Sequence, residues 1–347
     1  MFSLADLAVP IIGAPMAGGP STPALVAAVA EAGGMGVLPA GYLTAERFAA
    51  SIAATRSLTA GPIGVNLFVP QPCVASDAEI EAYRELLMPL ARRYGLEPGR
   101  PQPDDDGWAA KLDVVAEAAP EVASFTFGCP APEEIDRLRG RGVLTVVTVT
   151  SRDEARIAIA AGAGAVVAQG PEAGGHRSVF SADRRPPEVP LNELLRETVG
   201  LGVPVIAAGA IGDREAVRRV LGAGAVAAQV GTALLLSDEA GTNAAHRSAL
   251  RDPRFTDTIV TNCFSGRYAR SLANDFTARY DAVAPLGYPQ LHQITGPIRA
   301  AAVAAGDAES TSLWAGTAWR DISAGPAAQI VAALSGRNQA SRPAGSV

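Results

Sequence analysis

The sequence predicts an α/β fold: a closed (β/α)8 (TIM) barrel with an insertion after strand 3 and a C-terminal helical extension. Short β-branched runs alternate with amphipathic stretches through the first two-thirds of the 347 residues. The runs are apolar nearly throughout, as expected for a parallel sheet covered by helices on both faces. Eight strand–helix units occupy about 240 residues, close to the usual length of such a barrel. An open, doubly wound sheet is the alternative, but "APMAGGP" after the first strand lacks the expected Gly-x-Gly-x-x-Gly pattern.

The units follow one another in a regular order. The predicted strands are "VPIIGAP", "GMGVLPA", "PIGVNLF", "EVASFTFG", "GVLTVVTV", "AGAVVAQG", "VPVIAAGA" and "AVAAQVG". The predicted helices cover residues 23–32, 44–57, 108–118, 132–139, 151–161, 191–199 and 213–221, and the last strand runs into "TALLLS". Thr44 is a suitable N-cap, because its hydroxyl can accept a backbone N–H of the first helical turn.

A short repeat links two of these units. "GAGAVVAQ" begins at Gly162 and "GAGAVAAQ" begins at Gly222, so Gln169 and Gln229 both stand at the carboxyl end of a strand. Barrels can reuse such helix-stop signals. The repeat would also place both glutamines at the active-site end of the barrel. A structural and a functional origin of the repeat are compatible with each other.

Two segments fall outside the barrel pattern. We expect a barrel over residues 1–250 with an insertion at 71–106, an extension over 251–335 that packs on the barrel mouth, and a flexible tail at 336–347. The insertion ends in the acidic run Asp104–Asp106. No spaced carboxylate or glycine pattern supports calcium binding there, so a solvated turn is the expectation.

Composition excludes several classes of function. Lysine and arginine number 29 against 35 acidic residues, a net charge of −6 with no basic block, which disfavours nucleic acid and anionic membranes as partners. The three cysteines, Cys73, Cys129 and Cys263, are far apart and lack a Cys-x-x-Cys pair, so neither a disulfide framework nor a metal site is expected. The N-terminus has no basic region of a signal peptide, and no apolar run is long enough to span a bilayer. A cytoplasmic protein is expected.

In a barrel, the loops after the strands build the active site. Gly209 follows strand 7, and Gly231 and Thr232 follow strand 8. Phosphate groups commonly bind between these two loops, where backbone N–H groups hold the anion without a lysine or arginine. Either glycine alone could serve a tight turn, but the pair at these two strands favours a phosphate site.

Amide side chains farther round the mouth suggest a flat cofactor. Asn66, Gln169 and Gln229 can both donate and accept hydrogen bonds, as the pyrimidine edge of a flavin requires. Met16 in "APMAGG" is a polarizable contact for the ring. Asparagine at a strand end is often only a turn former, which weakens that assignment.

His176 in "GPEAGGHR" is the predicted acid–base residue. Its ordinary pKa lies near neutrality, and Gly174 and Gly175 before it permit close approach to a flat ligand. His246 and His292 do not follow strands, so we expect them to be structural. For Glu172 and Arg177 in the same loop, we expect an ion-pair tether at most.

These motifs resemble the nitronate monooxygenases of class I, formerly called 2-nitropropane dioxygenases. The resemblance runs from about Pro10 to about Arg320 and is carried by "PIIGAPMAGG", "GVNLF", "GPEAGGHR", "PVIAAGAIGD", "QVGTALLL", "FSGRYARSLANDF" and "GPIRAAAVAAGDAESTSLWAGTAWR". One departure is visible after strand 7. The family usually has two adjacent glycines there, whereas this chain has Gly209 followed by Ala210, which is tolerable if φ at Ala210 stays negative.

The resemblance implies an FMN-dependent barrel with His176 as the catalytic histidine. It also implies small-molecule partners, a nitronate or nitroalkane and O2, converted to a carbonyl compound and nitrite without NAD(P)H; propionate 3-nitronate is a candidate substrate. Ser265 in "FSGRYAR" is a candidate substrate residue at the pocket rim. The family's cofactor pattern falls on Asn66, Gln169, Gly174, Gly209, Gln229, Val230, Gly231 and Thr232.

Two alternatives to this function stay open. The first is an NAD(P)H-dependent flavin reductase on the same barrel, acting on enoyl-thioesters or quinones. The second is a non-catalytic barrel that binds a phosphorylated ligand. The oligomeric state, monomer or homodimer, does not follow from the sequence.

Overall fold

The computed structural model describes residues 2–336 and contains eleven strands, numbered here in chain order. They are β1 (Ile11–Gly13), β2 (Met35–Pro39), β3 (Ile63–Phe68), β4 (Val122–Thr126), β5 (Leu144–Val149), β6 (Ala165–Gln169), β7 (Gly175–His176), β8 (Val205–Ala208), β9 (Ala227–Val230), β10 (Thr258–Thr261) and β11 (Ala269–Leu272). Eight of them, all but β7, β10 and β11, form a closed parallel barrel in sequence order. The barrel closes where Ile12 of β1 lies beside Met35 of β2 and Gln229 of β9. The predicted fold class is confirmed.

Thirteen helices accompany the strands in the described part of the chain. They are α1 (Pro23–Glu31), α2 (Ala45–Leu58), α3 (Asp77–Leu86), α4 (Met88–Arg93), α5 (Trp108–Ala118), α6 (Pro132–Gly140), α7 (Arg152–Ala160), α8 (Leu191–Thr198), α9 (Arg214–Gly222), α10 (Ala244–Ala249), α11 (Asp275–Tyr280), α12 (Gln290–Ala304) and α13 (Ala327–Ser335). Thr44 caps α2 as predicted, accepting a hydrogen bond from the N–H of Arg47 at 3.3 Å. None of the helices within residues 2–336 has the length and apolarity needed to cross a membrane.

The barrel is filled by alternate residues of its strands. One buried cluster joins strands from opposite sides of the barrel: it contains Ile12, Met35, Val167 and Ile206. Leu4 of the N-terminal segment also belongs to it. A larger cluster joins the other face of the strands to the surrounding helices. Because side chains alternate along each strand, the two clusters together bury both faces of the sheet.

The last helix takes a position in the barrel that the sequence pattern assigned to "TALLLS". After β9 the chain forms only a 3-10 turn, Thr232–Leu234. The helix α13 returns from the end of the described chain to pack against α1 and α9. Its residues Ile330, Val331 and Leu334 join the apolar layer outside the strands. The C-terminal segment therefore completes the outer helical ring as well as covering the mouth.

The insertion and the extension pack on each other. Ile80, Tyr83 and Leu87 of the insertion share a buried cluster with Phe264 and Ile298 of the extension. The extension also supplies β10 and β11, which form a three-stranded antiparallel sheet with the short strand β7. Strand β7 lies in the loop after β6, so this sheet ties that loop to the extension. Apart from Gly336, the predicted tail at 336–347 lies outside the described residues.

Candidate active site

One cavity of about 640 Å³ lies at the carboxyl ends of the barrel strands. It is bounded by the loops after the strands and by α10 and α12 of the C-terminal part. Eleven of the residues singled out from the sequence line it: Met16, Asn66, Gln169, Gly174, Gly175, His176, Gly209, Gln229, Val230, Gly231 and Thr232.

The loops after β8 and β9 form the glycine-rich side of the cavity. Gly209 has φ of +129° and Ala210 has φ of +50°. The condition under which alanine would be tolerated without strain, a negative φ at Ala210, is therefore not met, because the turn has a positive φ at both positions. On the neighbouring loop, Thr232 Oγ1 accepts a hydrogen bond from the N–H of Gly316 at 2.9 Å, which leaves its own proton available to a ligand.

The three amide side chains differ in how much of their hydrogen-bonding capacity the protein uses. The side chain of Gln229 has no hydrogen-bond partner among residues 2–336 and lines the cavity. Asn66 uses Nδ2 to donate to Ser124 and Thr126, with its closest contacts at 3.0 Å, so Oδ1 is the atom left for a ligand. Gln169 is engaged at both ends: Nε2 donates to the His176 carbonyl at 3.0 Å, and Oε1 accepts from the Ser178 N–H at 2.9 Å. Its visible role is to hold the histidine strand.

The two glycines before the histidine serve different purposes. At Gly174, an added Cβ would lie 2.4 Å from the Gly316 nitrogen, so this glycine permits the extension to approach the loop. Gly175 has φ of +74°, and an added Cβ there would meet no atom within 4 Å. Gly175 is the one of the pair with open space beside it, and its left-handed backbone favours glycine.

His176 is held rigidly. Its backbone pairs with Ala269 of β11, so this part of the glycine-rich loop is an edge strand of a sheet. The ring has aromatic neighbours on several sides, with centroids 5.4 Å from Phe127 and 5.5 Å from Trp314. Its Nε2 lies 2.8 Å from Ser265 Oγ. The ring thus presents a defined edge to the cavity.

Ser265 lies behind this histidine instead of at the pocket rim, where the sequence placed it. It is 1% exposed, and its hydroxyl donates to the Arg267 carbonyl at 3.1 Å. A hydroxyl has a single proton. When that proton goes to the carbonyl, Nε2 of His176 must be the donor to Ser265, and Nδ1 keeps a free lone pair.

Burial and nearby cations keep His176 neutral. Its pKa falls to about 3, first because burial penalises the imidazolium and then because Arg267 and Arg299 are close. Arg267 is itself buried, with its guanidinium 4.1 Å from the centre of the Phe127 ring, a cation–π contact.

The remaining histidines also line the cavity, although neither follows a strand. His246 comes from α10 and His292 from α12. The His292 ring stacks on Tyr42 with centroids 3.9 Å apart, and its Nδ1 is 3.1 Å from Arg299 Nη2. Sequence reasoning missed Tyr42, His292 and Arg299. The spacing of His292, Gly296, Arg299 and Val303, on one face of a helix, was the available signal.

The acidic run Asp104–Asp106 and the charged side chains of the loop after β6 also differ from expectation. Asp106 is not simply solvated: it pairs with the buried amine of Lys111 at 2.7 Å and accepts the Tyr42 N–H at 3.0 Å. Arg177 is buried and forms no ion pair with Glu172 in residues 2–336. One Arg177 nitrogen donates to the Pro187 carbonyl at 3.2 Å. The expected loop tether is therefore a bond to backbone.

The chain has relatives over almost its full length. A profile of the nitronate monooxygenase family matches residues 3–336. The chain belongs to the nitronate monooxygenase family. It is 39% identical over 335 residues to the nitronate monooxygenase of Pseudomonas aeruginosa, covering 94% of this chain and 95% of the relative. As a family member it is an enzyme of the oxidoreductase class.

Solved structures resemble this family member over almost its full length. A nitroalkane oxidase from Streptomyces ansochromogenes superposes with a TM-score of 0.92 at 45% identity, covering 96% of this chain and 97% of its own. FabK from Thermotoga maritima superposes with a TM-score of 0.74 at 27% identity, covering 95% and 93%. The former is similar in both sequence and fold, whereas the latter is more distant.

Proposed function

We propose that this enzyme is an FMN-dependent nitronate monooxygenase that oxidises alkyl nitronates with O2 to a carbonyl compound and nitrite. Propionate 3-nitronate is a candidate substrate. The observation that carries the proposal is the convergence of one neutral histidine, His176, with a glycine-rich wall and unpartnered amide groups in a single cavity of about 640 Å³. A family membership that covers almost the whole chain supports the same reaction.

The residues present fit FMN. The phosphate would bind between the loops after β8 and β9, where Gly209, Gly231 and the free proton of Thr232 face the cavity. Gln229, without a protein partner, and Oδ1 of Asn66 would hydrogen-bond the polar edge of the ring. FMN, when bound, supplies the electron transfer between substrate and O2.

The protein's own part in the reaction centres on His176. A neutral imidazole can accept a proton, but a pKa of about 3 makes it a weak base. A substrate that arrives as the nitronate anion needs no proton removed. The site therefore favours preformed nitronates over neutral nitroalkanes. For a neutral nitroalkane, the free Nδ1 lone pair of His176 is the proton acceptor, and Ser265 holds the ring.

The test begins with the purified wild-type protein. We expect a yellow protein that releases FMN on denaturation and consumes O2 with propionate 3-nitronate. Rapid flavin bleaching by NADPH without any nitro compound, with enoyl-CoA reduction, would instead establish the reductase. A colourless protein without FMN or turnover would establish the non-catalytic barrel.

A substitution at His176 tests its role. In His176→Asn, kcat/KM for neutral nitroalkanes should fall by about 10²- to 10⁴-fold, because the proton acceptor is gone. The loss with preformed nitronates should be smaller, since that step is bypassed. FMN content is the control for folding. Equal retention of both activities would contradict a proton-transfer role.

A further inference from the structure

One face of α12 forms a wall of the cavity. His292, Gly296, Arg299 and Val303 are spaced three or four residues apart and all line the cavity. Two of these four carry polar groups, and neither group takes part in the reaction described above. Both are in electrostatic reach of His176: Arg299 lowers the pKa of His176, and His176 lowers the pKa of His292.

The contact between the two polar residues fixes a tautomer. Arg299 Nη2 lies 3.1 Å from His292 Nδ1. A guanidinium has donors and no acceptor, so Nδ1 must accept and cannot carry a proton. The proton of the neutral ring therefore sits on Nε2. Arg299 is itself held in place, with Nε donating to Thr295 Oγ1 at 3.1 Å.

The Nε2–H of His292 is available to a ligand. It has no hydrogen-bond partner within residues 2–336, and it is not sealed from the cavity as Nε2 of His246 is. The ring cannot easily turn away. It stacks on Tyr42 with centroids 3.9 Å apart and planes inclined by 3°, and the backbone N–H of Tyr42 is anchored on Asp106.

The charge on this wall lacks a counterion. No carboxylate within the described residues forms an ion pair with Arg299. The acidic groups that act on it are Tyr42 and Cys263, and burial raises the pKa of each to about 12, so both are neutral at pH 7. A cation that is half-buried in a cavity wall without an anion is partly desolvated, and an anionic ligand would offset the cost of that desolvation.

We propose that His292 is a second substrate-binding residue, donating from Nε2 to an oxygen of the nitronate group, and that Arg299 fixes its tautomer and balances the anion's charge. This inference rests on the proposed function. It assigns the anionic head of the substrate to the α12 wall, facing the same space as His176.

A kinetic comparison of two variants tests it. His292→Phe keeps a ring that can stack on Tyr42 but removes the donor. Because the variant loses a hydrogen bond to a charged group, we expect its KM for a nitronate to rise about tenfold to hundredfold. His292→Gln restores an N–H near the same position and should recover part of the loss. Both variants should retain FMN, which shows that they fold.

Two measurements that do not depend on turnover accompany the kinetics. In 15N NMR of the histidine-labelled wild type, His292 should show a bare Nδ1 and a protonated Nε2, and Arg299→Gln should mix the tautomers. Nitrite, used as an anion probe of the flavin spectrum, should bind about tenfold or more weakly to His292→Phe.

The outcomes separate this inference from the proposed function. If the wild type oxidises nitronates and His292→Phe keeps its KM and nitrite affinity within twofold, the role of His292 is overturned and the function stands. A protonated Nδ1 in the wild type also overturns it. If the wild type oxidises no nitronate, the proposed function fails, and this inference fails with it.

Discussion

Ala210 is a residue at which the cavity backbone carries a steric cost. Its φ of +50° is left-handed, a conformation that costs an L-residue other than glycine about 1–2 kcal/mol. This cost arises because Gly209 and Ala210 together turn the chain from β8 towards the cavity. The alanine is therefore a local strain that the fold tolerates.

Ala210→Gly should therefore stabilise the protein. Glycine removes the steric cost but adds freedom to the unfolded chain, so we expect a net gain of up to about 1 kcal/mol in the free energy of unfolding. Urea unfolding of the FMN-free protein measures it. The matched control is Ala207→Gly in the middle of β8, which lacks this strain and should lose about 0.5–1 kcal/mol. A loss of the same size at Ala210 would contradict the strain.

The residues of the site divide by how they reach the cavity. His176, Gln229 and Gly231 lie at the carboxyl end of a barrel strand or in the loop after it. A parallel barrel brings all such positions to one end, so a strand count is enough to group them. His292 and Arg299 arrive on α12, whose placement depends on packing between the insertion and the extension. No short-range pattern encodes that packing, which is why sequence reasoning assigned His292 a structural role.

At the scale of elements, the turn that precedes α5 supports the α12 wall. Asp106 bonds the Tyr42 N–H, Tyr42 stacks on His292, and Asp106 pairs with Lys111, which is 1% exposed. Burial raises the pKa of Asp106, and the bonds to Lys111 oppose that rise. The sequence showed only three consecutive aspartates. Which of them turns inward depends on a lysine five residues farther on.

Removing this one charge should be costly. Asp106→Asn preserves the acceptor for Tyr42 and the left-handed backbone, which asparagine tolerates, but leaves Lys111 buried without an anion. We expect a loss of about 3 kcal/mol, measured as a lower urea midpoint with unchanged slope. Adding Lys111→Met should recover much of it. If Asp106→Asn and the wild type are equally stable, the buried ion pair between Asp106 and Lys111 contributes no net stability.

At the scale of the whole molecule, all three histidines line one cavity and are held neutral. Burial is the first cause in each case, and the pKa falls to about 3 for His176, about 4 for His246 and about 2 for His292. The sequence predicts an acid–base role for one of them. The structure gives the three a common environment, because the C-terminal part folds over the barrel mouth and adds α10 and α12 to the cavity wall.

This shared burial makes the stability of the FMN-free protein steeply sensitive to mild acid. Below the ordinary histidine pKa of about 6.5, each of the three histidines binds a proton in the unfolded chain but not in the folded chain. The free energy of unfolding therefore falls as pH falls from about 6.5 towards 5. Each histidine contributes about 1.4 kcal/mol per pH unit, or about 4 kcal/mol per unit for the three, while above pH 7 they contribute no slope. Urea unfolding between pH 8 and 5 measures this. His246→Asn should lower the slope by about a third, and a wild-type slope near zero across this window would show that the histidines titrate normally in the folded state.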